Sequence, residues 1–264
     1  MFGVLIFALN ESKFIGYALR SYLQSPLVDI IIVVEGCVAL NAHAANEYGL
    51  SKDNMADVIG AVMAEDTTGG RIVYERYGWA EGKAELRTRC IQLCEEWCPD
   101  VAYYLQTDGD EIVTPDDLKT LKKEIDKHKP DLVLFKYWHF WRQPDLVATG
   151  SLWDAQIPRC YRNYGAGMYF TSHAGGPRRP GGFHLKGQFH SSVRVYHYGP
   201  MKDKRDVLDK LAFYQARDGK GTDTWTGWKK GKPTHWTHGG GSAIKFTGQH
   251  PPAIAEDVWK LVPK

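Results

Sequence analysis

The sequence predicts an α/β domain built on a mostly parallel sheet with helices on both faces. An apolar run from Gly3 to Leu9 passes through Asn10-Glu11-Ser12 into apolar residues at helical spacing, Phe14, Ile15, Ala18, Leu19, Tyr22 and Leu23. That is a buried strand feeding a capped helix. A β-branched run, Ile30 to Val34, follows and ends at Glu35-Gly36. Strand, helix and strand in this order are the opening of a parallel sheet, whose strands read as continuous apolar runs because both faces are covered.

Later elements extend the pattern. Cys37 to Gly70 reads as a long connection with a helix near Met55 to Ala64, and Arg71 to Tyr74 as a short strand. Glu81 to Trp97 has helical periodicity, and Val101 to Gln106 is another buried strand, breaking at Thr107-Asp108-Gly109-Asp110-Glu111. Thr114 caps a helix that starts at Pro115 and runs to about His128. Leu132 to Trp141, Ile157 to Arg162 and Val193 to Tyr198 read as strands, and Asp203 to Arg217 as a helix. The tail from Asp218 has no clear period, which predicts irregular structure wrapped on the domain or a lid. The expected organisation is a catalytic domain over 1–217, with a donor half to about 115 and an acceptor half over 116–217, and an extension over 218–264.

At 264 residues the chain can bury a substantial core. No apolar run approaches the roughly 18 residues of a membrane span. The opening MFGVLIFALNESKF lacks the basic start of a secretory signal, so the expectation is a cytoplasmic protein. Five cysteines argue against a disulfide framework, and Cys90, Cys94 and Cys98 recur at a spacing that stacks thiols along one helix face as small hydrophobes. Net charge is +2, yet residues 201–264 hold twelve basic against seven acidic residues, a mild basic bias that suits an anionic partner or a solvated face.

The chemistry sits in Asp108-Gly109-Asp110. Two carboxylates separated by one small residue, where a buried strand leaves the sheet, can converge on one hard cation, and ligands of open α/β sheets bind at such strand ends. An acidic turn that merely precedes the Pro115 helix has the same appearance. No G-x-x-x-x-G-K-[ST] loop is present, which argues against a phosphoryl transferase of that kind.

Taken together, the FALNES turn, Glu35 at the second strand end, GKAELRTR, YYLQTDGDEI, IPRCYRN and VRVYHYGPMKDKRDVLDKLAFYQ resemble glycosyltransferase family 2 and its relatives of the GT-A fold. The match spans most of residues 3–217. The resemblance implies a Rossmann-like domain holding a nucleotide-sugar across its strand ends, with Leu9, Asn10 and Glu11 at the base and Glu35 near the ribose or base, where the family commonly has Asp. It places Arg87 and Lys83 near the phosphates, Asp108 against ribose and cation, Asp110 as a direct metal ligand, and His197 as a further ligand to Mn²⁺ or Mg²⁺. Glu111 braces the loop. The general base of an inverting transfer is expected at Asp154, with His173 as the second candidate.

The implied reaction moves a sugar from a nucleoside-diphosphate sugar, a UDP-sugar, to an acceptor hydroxyl. Arg178, Arg179, Lys186, Arg194, Lys229, Lys230 and Lys232, interleaved with Trp225, Trp228 and Trp236, suit a saccharide, lipid-linked or small-molecule acceptor. They also suit DNA or RNA, such as a hydroxymethylated base, because indole rings stack on sugars and bases alike and basic side chains meet phosphates. A nucleotide- or nucleic-acid-binding module without transfer activity is the other class of function compatible with the sequence.

Overall fold

A computed structural model describes residues 1–150, 153–172, 176–203, 206 and 241–263. Its centre is an eight-stranded sheet in the order β3-β2-β1-β4-β8-β6-β9-β5. The strands are β1 (Phe2–Ala8), β2 (Val28–Val38), β3 (Ile72–Ala80), β4 (Tyr103–Thr107), β5 (Glu111–Ile112), β6 (Leu132–His139), β8 (Ile157–Arg162) and β9 (Gln188–His197). Pairing is parallel from β3 through β4 and between β6 and β9, while β8 and β5 run antiparallel to their neighbours. The mostly parallel sheet read from the sequence is thus present.

Alternation along the strands divides the core between the two faces. Phe2, Val4 and Ile6 of β1 pack with Phe14, which precedes α1, with Ile15, Ala18 and Leu19 of α1 (Ile15–Leu23), Met55 and Ile59 of α2 (Met55–Glu65), and Leu118 and Leu121 of α4 (Pro115–His128). Leu5, between them, packs on the opposite face with Leu86, Cys90, Ile91 and Cys94 of α3 (Lys83–Trp97). The cysteine stripe is therefore a packing surface: Cys90 and Cys94 are buried and all five thiols are free. Burial pushes the Cys90 and Cys94 thiols upward, away from the reactive thiolate. α4 begins as expected, with a reciprocal capping box between Thr114 and Asp117.

Two differences from the sequence reading concern edges and ends. β3 runs on to Ala80, past the short strand expected to stop at Tyr74. It is an edge strand paired only to β2, and it carries exposed residues at Arg76, Tyr77 and Trp79. The described part of the C-terminal segment, 241–263, is more ordered than its composition suggests: β10 (Ser242–Lys245) pairs antiparallel with β7 (Leu146–Thr149). Ile254 and Val258 then bury into the main core, and the Tyr17 hydroxyl on α1 meets Asp257 at 3.2 Å. The helix expected over Asp203 to Arg217 lies almost entirely outside the described residues. No described helix is long and apolar enough to cross a membrane.

The fit of α3 against β1 depends on Gly3. A Cβ there would lie 2.6 Å from Cys94 Sγ and 3.2 Å from Val101 Cγ1. Gly3→Ala is therefore expected to lower stability to urea by about 1–3 kcal/mol through overpacking. Adding Cys94→Ala should return part of the loss, because the two sites share one space. A neutral Gly3→Ala would contradict this close approach.

Candidate donor-binding site

The carboxyl ends of β1, β2 and β4 open into one cleft, where ligands of such sheets bind. Leu9, Asn10, Glu11, Lys83, Asp108 and Asp110 line it, with Gly36 to Val38 on the β2 side and Lys202 and Asp206 across from them. The wall after β2 is a 3-10 segment, Ala39–Ala44, tied to the β1 loop by Asn10. Asn10 adopts a left-handed backbone with φ of 56°. Its amide donates to Ala44 O at 2.6 Å and accepts from Lys52 N at 2.8 Å, and its own N–H donates to Ser51 Oγ at 3.0 Å. A short polar side chain that tolerates this conformation and bonds locally is what the turn requires.

The acidic turn is anchored from behind. Tyr198 N donates to Asp110 O at 2.9 Å, and β5 pairs Glu111 with His197, so His197 is brought beside Asp110 by strand register. His197 Nε2 lies 3.7 Å from Asp110 Oδ1. His197 Nδ1 meets His139 Nδ1 at 2.6 Å, a bond in which one ring donates and the other accepts. When His139 accepts, His197 carries its proton on Nδ1 and turns the Nε2 lone pair toward Asp110, the tautomer a metal ligand needs. Gly199 permits this packing, since a Cβ there would fall 2.5 Å from His197 Nε2 and 2.7 Å from Asp110 Oδ2.

Two buried cations compensate the acidic turn, and neither was assigned a role from the sequence. Arg159 donates to Asp108 Oδ2 at 2.9 Å, to Glu111 Oε1 at 2.7 Å and to the Tyr137 hydroxyl at 2.8 Å. Burial opposes the Arg159 charge, but Asp108 and Glu111 outweigh it and hold the guanidinium above its usual range. Burial pushes the Glu111 carboxyl upward against the pull of Arg159, and Glu111 Oε2 accepts from Asp108 N at 3.0 Å, which makes it the brace of the loop as expected. Lys202 places Nζ 2.8 Å from Asp110 Oδ2 and 2.5 Å from Glu11 Oε1. Burial works against its charge too, and the two carboxylates raise it well above the ordinary lysine range.

Other expected residues fall elsewhere. Glu35 is 1% exposed and does not line the cleft; it accepts from Ser51 N at 2.7 Å and from the Tyr74 hydroxyl, and pairs with Arg76. Its β2 register turns it to the junction with β3, where it braces the loop behind the wall. Arg87 is likewise buried, bonded to the Gln106 side chain and stacked 4.0 Å from the Phe170 ring, so it supports the α3–β4 contact and does not line the cleft. Asp154 is exposed and closes its own turn, accepting from Gly150 N at 3.0 Å; the carboxylate caps a loop and does not line the cleft. Arg178 pairs through its backbone with Tyr169, and Arg179 stacks 3.8 Å from the Tyr164 ring, both away from the cleft-lining set. His173, Lys229, Lys230, Lys232, Trp225, Trp228 and Trp236 lie outside the described residues.

A divalent ion can be tested against this donor set. Two ligands each about 2.1 Å from one ion stand roughly 3–4 Å apart, and the Asp110–His197 separation of 3.7 Å is within that span. Ions of this kind are commonly held by one or two protein groups plus substrate phosphates. The pair therefore fits. Among the described residues no third His, Cys, Asp or Glu completes a cluster, and Asp108 is engaged by Arg159.

The sequence matches no protein-family model and no curated protein. Solved structures of related layout include residues 1–349 of S. aureus TarS, 14% identical, with a TM-score of 0.46 over 86% of this chain and 74% of that one. The S. aureus TarS complex with UDP-GlcNAc aligns at 18% identity and a TM-score of 0.40, over 53% of this chain and 35% of that one. UDP-glucose pyrophosphorylase complexed with UDP-glucose aligns at 11% identity and a TM-score of 0.32, over 62% of this chain and 76% of that one. At these values the likeness assigns no ligand and no activity to this chain. The resemblance to glycosyltransferase family 2 rests on the sequence motifs alone.

Arg159 provides the direct check on the ion network. Arg159→Met removes the cation shared by the buried Glu111 carboxylate and the partly exposed Asp108, so unfolding free energy should fall by about 1–3 kcal/mol in urea. A loss below about 1 kcal/mol would show that water, and not Arg159, compensates the pair.

Proposed function

We propose that this chain is a glycosyltransferase that moves a sugar from a nucleoside-diphosphate sugar, a UDP-sugar, to an acceptor hydroxyl. One observation carries the reading: Asp108, Asp110, Lys83 and Lys202 share a single cleft at the carboxyl ends of parallel strands. Carboxylates and cations interleaved in this way suit a ligand that is itself an anion accompanied by a metal, which is the chemistry of a sugar diphosphate. The apolar start of the cleft at Phe7 to Leu9 and the wall at Asn41 and Ala44 supply the flatter end that a base requires.

Mn²⁺ or Mg²⁺, held by Asp110 and His197, would stabilise negative charge on the departing diphosphate. Lys83 and Lys202 add fixed positive charge along the same wall. Glu11 and Asn10 shape the loop against which the donor lies. Asp154 closes its own turn, and the second candidate for the general base of an inverting transfer, His173, lies outside the described residues. The acceptor is a saccharide, lipid-linked or small-molecule hydroxyl, a reading supported by Arg178 and Arg179 not lining the cleft.

The test is UDP affinity by calorimetry together with slow hydrolysis of UDP-sugars in the absence of acceptor. With Mn²⁺ present, UDP at about a hundred times its Kd should add roughly 2.7 kcal/mol of stability. Affinity should drop at least tenfold in EDTA, and Asp110→Asn should erase the difference between the two conditions. Equal affinity in Mn²⁺ and EDTA would remove the metal from the reading. Binding with no release of UDP from any UDP-sugar would make the chain a binding module.

A further inference from the structure

Lys202 stands in an unusual position: a buried ammonium in the cleft wall, shared by two carboxylates from separate parts of the chain. Asp110 comes from the β4 turn and Glu11 from the loop after β1. Lys202 itself follows the 3-10 turn Gly199–Met201, and its N–H donates to Gly199 O at 3.3 Å. Its side chain is 9% exposed, and those of Glu11 and Asp110 are 13% and 3%. Two carboxylates thus converge on one ammonium. A diphosphate entering beside Asp110 adds negative charge, and like charges at such range exclude each other unless a cation moves between them.

We propose that Lys202 is a displaceable internal cation. In the donor-free chain its ammonium neutralises Asp110 and Glu11; when a nucleoside diphosphate enters, the ammonium passes to the diphosphate and leaves the charge of the Asp110 carboxylate to a divalent ion held by Asp110 and His197. This rests on the donor reading above and deepens it. A lysine suits the task, being a compact point charge on a flexible four-carbon stem, able to swing while its backbone stays on the Gly199–Met201 turn. The consequence is ordered loading. Without nucleotide, Lys202 competes with a metal for Asp110, so the ion enters together with the diphosphate, which draws the ammonium away.

Calorimetry on the full chain tests this with two separate titrants. Mn²⁺ alone should bind weakly to the wild type and at least tenfold more tightly to Lys202→Met, in which no Lys202 ammonium competes for Asp110. UDP in EDTA should bind Lys202→Met at least tenfold more weakly than the wild type. Should Lys202→Met fail to fold, Glu11→Gln serves instead: with one carboxylate released, the ammonium leaves more readily, and UDP in EDTA should bind more tightly than to the wild type. Mn²⁺ and UDP affinities within twofold of wild type in Lys202→Met, or unchanged UDP affinity in Glu11→Gln, would overturn the proposal. The Mn²⁺ titration needs no nucleotide. A wild type that fails to bind UDP under any condition therefore removes the donor reading, while the metal contrast between wild type and Lys202→Met still reports on the ammonium.

Discussion

Compensation of buried negative charge at the end of β4 is the constraint on which the rest of the site depends. Asp108, Asp110 and Glu111 leave the sheet within four residues, and Asp110 and Glu111 are each 2% exposed. Carboxylates so close together resist burial and repel one another unless cations reach them. The fold meets this from two directions. Arg159 on β8 crosses to Asp108 and Glu111, and Lys202 after β9 reaches Asp110 and Glu11. Both come from beyond the parallel half of the sheet, so the charge at the cleft is set by the segment that closes the sheet, not by the strands that open it.

That arrangement gives the antiparallel insertions a purpose. β8 lies between β4 and β6, which brings Arg159 behind the acidic turn, and β5 pairs with β9 to set His197 beside Asp110. The aromatic layer behind them, with Tyr137 stacked on His139 at 5.1 Å and Trp153 meeting His139 edge-on at 5.0 Å, holds the two imidazoles in a fixed relation. A hydrogen-bonded pair of rings in such a layer orients Nε2 of His197 with little freedom to turn.

Much of the architecture was legible in the sequence because its signals are local. Apolar runs marked β1, β2 and β4, and Thr114-Pro115-Asp116-Asp117 marked the start of α4 to the residue. The cleft-lining residues Leu9 to Glu11, Lys83, Asp108 and Asp110 were legible through the family-like motifs. Long-range pairing was not. Nothing in IPRCYRN says that Arg159 crosses to Asp108, and Lys202 in GPMKDKR looks like any basic residue opening a solvated helix. Glu35 and Arg87 show the converse: each stands at the motif position, yet β2 register buries one on Ser51 and Tyr74, and the Phe170 ring and Gln106 capture the other. Side-chain destination depends on the neighbouring strand, which a motif does not contain. β7 and β10 escaped notice for a similar reason, being four-residue strands that only each other's edges define.

The central claim is that a nucleoside diphosphate lies at the ends of β1 and β4 with its charge met by groups of this cleft. A crystal structure of the chain grown with UDP and Mn²⁺ tests it most directly. The account predicts the diphosphate within hydrogen-bond distance of Lys202 Nζ, with the metal between it, Asp110 and His197. UDP bound elsewhere, with Lys202 still seated on Asp110 and Glu11, would contradict it.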